Sequence, residues 1–353
     1  MWLMIAVAVG FLSWWITAQM VHGASFIRSL DHPNERSLHV RPTPRTGGVA
    51  MVVSLVAGTL TASAIAISSR DESSHALTYV NEELWILGPT LFLALVSFCD
   101  DRLGLPVLPR FALQVLAACG MALGGHMVIR AFTIPGWGMF DFGWASLPLT
   151  VLFVLWMTNL YNFMDGMDGF AGGMTVIGFG LLGYFGWVSH HPLLFGIAAL
   201  QTAAAAGFLA HNFPPAKIFM GDVGSISTGF LAGALIVLGC RDAVFDLWVP
   251  LIIFSPFILD ATFTLLRRAL RGERIWEAHR DHFYQRVVLS GWGHRKTVSS
   301  EYAIMALCAA LAITYHAVEQ WRPVVLGAWV VLFGALAFTV TLLEARSPKI
   351  QPE

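Results

Sequence analysis

The chain reads as long apolar runs separated by short polar segments. Apolar runs fall at roughly 2–20, 48–68, 84–99, 111–129, 148–161, 170–188, 193–211, 225–240, 247–266, 302–318 and 324–343. A helix needs about 20 apolar residues to cross a bilayer. The pattern therefore predicts an all-α polytopic membrane protein with about 11 transmembrane helices, built as a single integral membrane domain over 1–353. Residues 169–216 contain no Asp, Glu, Lys or Arg, and the break His190-His191-Pro192 divides them into two helices. The runs at 84–99 and 148–161 are short for a crossing, and the second is expected to begin earlier, near Trp144. Between spans, alternating aromatics around Pro135-Gly136 predict a small β-hairpin near 131–144. Basic and aromatic residues between Arg274 and Trp292 predict an interfacial loop helix near 275–289, with plain topology-setting charge as the simpler explanation. The pairs Gly120/Gly124 and Gly229/Gly233 are best explained by close helix packing.

Composition sharpens this. Of 353 residues, 56% are hydrophobic and 12% charged, against about 25% charged in an average soluble domain. The mean hydropathy is +0.67. A net charge of −1 excludes a basic nucleic-acid binder. Cys99, Cys119, Cys240 and Cys308 stand apart in or beside apolar runs and read as small buried hydrophobes. With alternating spans, 17 of the 21 Lys and Arg fall on one side. The positive-inside rule makes that side cytoplasmic, with the N-terminus periplasmic and the C-terminus cytoplasmic. The first run lacks a basic n-region and an A-x-A-like site, so it reads as a retained helix.

Acids in so apolar a chain are costly and therefore informative. Asp100-Asp101 end the third span. Adjacent carboxylates repel, and a helix C-terminus is a poor place for anions, so the pair suits a general base or a Mg²⁺ site. Asn159, Asn162, Asp165 and Asp168 recur every three residues, which keeps neighbours on one side of a helix. Glycines at 166, 169, 172 and 173 are expected to turn the backbone close to a ligand. Asp222, between Gly221 and Gly224, opens a helix where it can hold a metal or face phosphate. His279, His282 and Arg286 share a helix face, with Arg280 beside them, and are expected to supply cations for phosphate. Two histidines three apart also permit zinc, but the accompanying groups are hard carboxylates, which favour Mg²⁺. Pro42-Thr43-Pro44-Arg45-Thr46-Gly47-Gly48 makes a rigid turn that presents Arg45 as a phosphate clamp. Asp260 is the one acid inside a span, as open to a structural partnership as to catalysis. Carboxylates, Mg²⁺ and Arg/His on the cytoplasmic side are the equipment for phosphoryl chemistry on a lipid phosphate.

These five ordered motifs resemble the polyprenyl-phosphate N-acetylhexosamine-1-phosphate transferases (the glycosyltransferase family 4 enzymes) over almost the whole chain. The His-Arg-x-His-x-Tyr-Gln-Arg form is most similar to the WbpL-like subgroup. MraY enzymes carry three consecutive histidines there, and WecA-like enzymes, specific for UDP-GlcNAc, differ in the first loop and the histidine motif. The resemblance implies transfer of an N-acetylhexosamine-1-phosphate, or a deoxy derivative, from a UDP-sugar to undecaprenyl phosphate. UMP would leave, and the reaction would start O-antigen or related polysaccharide synthesis at the bacterial inner membrane. It implies Asp222, Asn162 and Asp165 around Mg²⁺ (or Mn²⁺), Asp100 as base supported by Asp101, and Asp168 near the uracil. It also implies that Arg45, Asn159, Lys217, His279, Arg280, His282 and Arg286 contact substrate. Direct attack of the lipid phosphate on the β-phosphorus is preferred over a covalent Asp intermediate. A nucleotide-sugar or lipid-linked-sugar transporter is the rival from another class. It would place polar groups at the membrane midplane in paired repeats, whereas here the acids gather on one side. A homodimer is compatible with the Gly-rich helix faces.

Overall fold

The computed structural model describes residues 2–22, 29–33, 38, 41–68, 79–274 and 279–346. The helices are α1 (Trp2–His22), α2 (Gly47–Ser68), α3 (Val80–Leu103), α4 (Val107–Gly124), α5 (Ser146–Met164), α6 (Phe170–Val188) and α7 (Pro192–Asn212). They continue with α8 (Gly221–Arg241), α9 (Trp248–Ile253), α10 (Ser255–Leu270), α11 (Phe283–Val287), α12 (Gly293–Ala317) and α13 (Arg322–Arg346). Among the described residues, ten segments are long and apolar enough to cross a membrane.

The expected span at 247–266 departs from this. It breaks at Phe254 into α9 and α10, neither long enough to cross alone. Pro256 has no N–H to give the Ile252 carbonyl, and the Ser255 hydroxyl donates to it instead at 2.7 Å. The expected eleven passes thus become ten continuous spans and one broken pair. The short third run is extended by polar ends to 24 residues. In its first turn Glu82 is paired with Arg241 at 3.3 Å. The fifth does begin early, the spanning segment covering Gly143–Met164.

Helix α8 is the axis of the bundle, 94% of its apolar window being buried, with α5, α3 and α2 packed around it. The glycine pair at 229 and 233 is what allows this. A Cβ on Gly229 would stand 2.6 Å from the Met157 carbonyl oxygen, so α5 and α8 meet backbone to backbone. Gly124 serves likewise against the Trp85 ring. Helices α6, α7, α1 and α2 form a second packed group on one flank, and α12 packs on α9 and α13 on another.

The expected hairpin is present. Strands β1 (Ala131–Ile134) and β2 (Gly138–Asp141) pair antiparallel, with Ala131 opposite Asp141 and Ile134 opposite Gly138. The Trp248 indole N–H donates to the Thr133 carbonyl at 2.7 Å, which ties the hairpin to α9. The expected loop helix near 275–289 is shorter. It is the five-residue α11, running through a π turn into α12, while residues 275–278 lie outside the described residues. So do Arg28, Arg36, Arg70 and Lys349 of the positive-inside count.

The ends of the helices decide where chemistry can occur. The start of α2, end of α3, start of α4, end of α5, start of α6 and start of α8 converge at one end of the bundle. The hairpin and the cluster of Glu82, His191, Arg241 and Asp242 occupy the other. There Asp242 accepts from His191 at 2.8 Å and from Arg241 at 2.6 Å. Burial opposes its charge, but these partners prevail and bring its carboxyl down to about 2.

Candidate active site

Two sequence motifs interlock to begin the site. The Phe219 N–H donates to the Pro44 carbonyl at 2.7 Å, Gly47 N–H to the Phe219 carbonyl at 3.0 Å, and Gly48 N–H to the Met220 carbonyl at 2.9 Å. A Cβ on Gly48 would stand 2.2 Å from the Gly224 Cα, and one on Gly221, whose φ is +69°, 2.1 Å from the Arg45 carbonyl oxygen. These glycines therefore let the start of α2 and the start of α8 touch, and so set the Arg45 backbone against Gly221, the residue before Asp222.

Arg45 reaches Asp101 at 3.0 Å, and its Nε donates to the Ser29 hydroxyl at 3.2 Å. Asp100 accepts from the Leu105 N–H at 2.6 Å and from Arg110 at 2.7 Å. Gly104, at φ +64°, ends α3 and turns the chain so that Leu105 can make that bond. The anions at a helix C-terminus thus have cationic partners, which offsets the unfavourable dipole. The same Arg110 nitrogen lies 3.7 Å from Asp222. Asn162 donates to Asp222 at 3.1 Å and to Ser225 at 3.0 Å. Asp165 accepts from the Gly221 N–H at 3.1 Å. Burial, then the nearby Asp222 charge, push the Asp165 carboxyl well above the usual carboxylate range, against the pull of that N–H.

Arg45, Asp100, Asp101, Asn162, Asp165 and Asp222 are therefore one cluster, drawn from four separate segments. The three-residue spacing acts differently from expectation. Only Asn159 and Asn162 are helical, because α5 ends at Met164 and Asp165 and Asp168 lie in the turn before α6. Asn159 faces α4, donating to Gln114 at 2.8 Å. Asp168 accepts from the Ala216 N–H at 2.9 Å and lies 3.1 Å from His294. The glycines expected to admit a ligand admit protein instead. A Cβ on Gly166 would stand 2.2 Å from the Tyr284 hydroxyl, and one on Gly173 2.1 Å from the Tyr302 ring.

The histidine motif docks against this turn. Tyr284 is buried, donates to the Phe163 carbonyl at 3.2 Å and packs on Phe170 with centroids 5.0 Å apart. His282 is buried, and its Nδ1 lies 3.1 Å from Asp260. His279, 4.8 Å from the His282 ring, is pushed down to about 4 by burial and by His282 and Arg268. It is therefore neutral near pH 7, which corrects the expectation that it serves as a cation. Arg286 does not reach the carboxylate cluster: it makes a two-pronged ion pair with Glu344 of α13. Lys217 and Arg280 are exposed and stand apart from the cluster's ion pairs.

Arg110, Gln114, Ser225, Asp260 and His294 complete these contacts. In the sequence Arg110 is only one of the 17 basic residues that fall on one side of the chain. A cation in the first turn of a helix is opposed by the dipole, and that discomfort, ten residues after Asp100, was the available signal. Gln114, Ser225 and His294 offered none.

The family model for glycosyl transferase family 4 matches residues 84–240, the segment from α3 to α8 that carries Asp100, Asp101, Arg110, Asn162, Asp165 and Asp222. A protein of Bacillus subtilis named probable undecaprenyl-phosphate N-acetylglucosaminyl 1-phosphate transferase is 30% identical, over 89% of this chain and 85% of its own length. The chain belongs to glycosyl transferase family 4. Decaprenyl-phosphate N-acetylglucosaminephosphotransferase of Mycobacterium tuberculosis is 29% identical over 99% of this chain and 91% of its own. Phospho-N-acetylmuramoyl-pentapeptide-transferase of Halalkalibacterium halodurans is 28% identical over 77% and 82%. As a family 4 member the chain is a glycosyl-1-phosphate transferase of the membrane.

Proposed function

We propose that this transferase moves an N-acetylhexosamine-1-phosphate, or a deoxy derivative, from a UDP-sugar to undecaprenyl phosphate. UMP is released, and O-antigen or a related surface polysaccharide is begun. The observation that carries the reading is the meeting of Asp100, Asp101 and Asp222 with Arg45 and Arg110 at one end of a membrane bundle. Acidic groups there can take a proton from a phosphate and hold a cation. Guanidinium groups can bind phosphate oxygens and offset charge as it develops. The preponderance of Lys and Arg on that side of the chain supports a cytoplasmic face at the bacterial inner membrane.

Mg²⁺, or Mn²⁺ in its place, is the implied cofactor, and the residues fit it. Asn162 uses its amide nitrogen on Asp222 and Ser225, so its carbonyl oxygen is the atom that would ligate. Among the described residues no three His, Cys, Asp or Glu side chains gather closely enough to hold a metal unaided. Asp222 and Asn162, with Asp165 behind them, would therefore share the ion with substrate phosphates, the usual habit of Mg²⁺. Such an ion would neutralise charge on the pyrophosphate. Asp100 or Asp101 would take the lipid phosphate proton, and Arg45 and Arg110 would hold the phosphates in line for direct transfer.

For the donor, UDP-GlcNAc is a second reading, favoured by the N-acetylglucosaminyl names of the relatives in Bacillus and Mycobacterium. Purified protein mixed with undecaprenyl phosphate, Mg²⁺ and a panel of UDP-N-acetylhexosamines decides both questions. UMP release with one donor is expected. Silence with every donor would reject the transfer, and an equal rate with all would reject donor selectivity.

A further inference from the structure

Asp260 is the one acid expected within a span, and its surroundings are unusually specific. It lies in α10, one and a half turns after the break at Phe254, and is 8% exposed. Its Oδ1 is 3.1 Å from His282 Nδ1 and accepts from the Phe283 N–H at 2.9 Å. Its Oδ2 accepts from the Tyr284 N–H at 3.1 Å. The Thr264 hydroxyl donates to Oδ1 at 3.2 Å. One carboxylate thus supplies the acceptors for the first N–H groups of α11 and also engages His282 at the N-cap of that helix. His282 in turn receives support from Gln285, whose side chain accepts from the His282 N–H at 3.3 Å.

A carboxylate can only accept, so the ring nitrogen facing it must carry hydrogen. Nδ1 is then the donor to Asp260 rather than the acceptor for the Gln285 N–H that its N-cap place would allow, and Nε2 is the acceptor. The His282 ring stacks 6.3 Å from Phe163, two residues before Asp165 of the carboxylate cluster. A fixed His282 ring is therefore next to the site, on the far side of the Phe163–Asp165 turn.

We propose that Asp260 is a positioning residue for the transfer reaction: it locks His282 in the Nδ1–H tautomer and fixes the start of α11, so that Nε2 serves as the proton-accepting or substrate-binding nitrogen. The proposal rests on the transferase reading but has a test that does not need turnover. A carboxamide in place of Asp260, with its nitrogen toward His282, offers an N–H to Nδ1, keeps the bond from the Tyr284 N–H and loses the one from the Phe283 N–H; an alanine removes the acceptor for Nδ1 in any orientation.

The experiment has two arms on the full-length protein. In the first, nitrogen-15 spectra of histidine-labelled protein are recorded, with the His282 signals assigned by their loss in His282→Gln. The parent should show the Nδ1–H tautomer, and Asp260→Ala, which leaves Nδ1 without its carboxylate acceptor, should lose that preference. An Nε2–H parent, or an Asp260→Ala variant that keeps the Nδ1–H form, overturns the proposal whatever the donor sugar is. In the second, kcat and KM are compared for Asp260→Asn, His282→Gln and the double variant, with melting temperatures alongside. Asp260→Asn should lose about tenfold or more in kcat, as when an orienting partner is removed, with KM and melting temperature near the parent's. The double variant should be no slower than His282→Gln. Losses that multiply, or a kcat loss matched by a large drop in melting temperature, would show that Asp260 acts only as scaffold for α11 and would overturn it. A parent without turnover would fail the transferase reading and leave the spectra to decide this one.

Discussion

Arg110 lies 2.7 Å from Asp100 with the same nitrogen that stands 3.7 Å from Asp222. One cation in the first turn of α4 thereby joins the acid that ends α3 to the acid that opens α8. Its removal should leave like charges facing one another with one less neutralising partner. Arg110→Gln is expected to lower kcat by about 100-fold, the usual cost of losing one charge-stabilising donor. Arg110→Lys should recover part of it, since lysine keeps the charge but loses the forked geometry. Steady-state UMP release measures both. A glutamine variant within threefold of the parent would mean that Arg110 only balances charge at rest.

Asp222 is held by Asn162 and lies near Arg110, but its side chain is still 32% exposed, so one edge remains open to a ligand. Asp222→Asn is nearly isosteric and should fold. It is expected to abolish turnover almost completely while the melting temperature stays close to that of the parent. Binding of Mn²⁺, followed by electron paramagnetic resonance, should weaken in parallel. Near-normal activity in saturating Mg²⁺ would remove Asp222 from the metal.

Gly48 has no room for a side chain, because its Cβ would stand 2.2 Å from the backbone of Gly224. Neither backbone can yield as a flexible side chain would. Gly48→Ala should therefore push α2 from α8 and destabilise the fold by about 3 kcal/mol, the upper range for overpacking. It should also draw Arg45 away from Gly221 and the start of α8, so activity should fall even at temperatures where the variant is folded. Melting curves and activity at 10 °C separate the two effects. An alanine variant with the parent's melting temperature would show that this contact has slack.

The helices were legible because a bilayer imposes a length, and runs of that length are plain in the pattern. The acids were legible for the complementary reason: each charged group in so apolar a chain must be matched. What escaped was pairing across the sequence. Nothing in the residues around Asn162 marks Asp222, 60 positions away, as its partner. The histidine motif could be placed near the site, but not the turn of Arg286 toward Glu344, 58 residues on. The break in α9–α10 was signalled by Pro250 and Pro256, yet an apolar run of span length concealed it. Gly166 and Gly173 face Tyr284 and Tyr302, and local sequence cannot tell whether a glycine's close neighbour is a substrate or another part of the chain.

His279 carries a pH signature that can be checked without any substrate. Burial, His282 and Arg268 hold its folded pKa near 4, below the 6.5 of a free imidazole. The unfolded chain therefore binds a proton more readily than the folded one. Stability from this group is fully present above pH 6.5 and is lost as the pH falls from 6.5 toward 4. His279→Gln removes the titration, so its melting temperature should vary less than the parent's across that window, with the two curves differing most in slope between pH 6 and pH 4.5. Melting temperatures in detergent, taken at half-unit pH steps for both proteins, make the comparison. Parallel curves would mean that the folded His279 titrates as an ordinary exposed imidazole, and its place as a neutral neighbour of His282 would have to be given up.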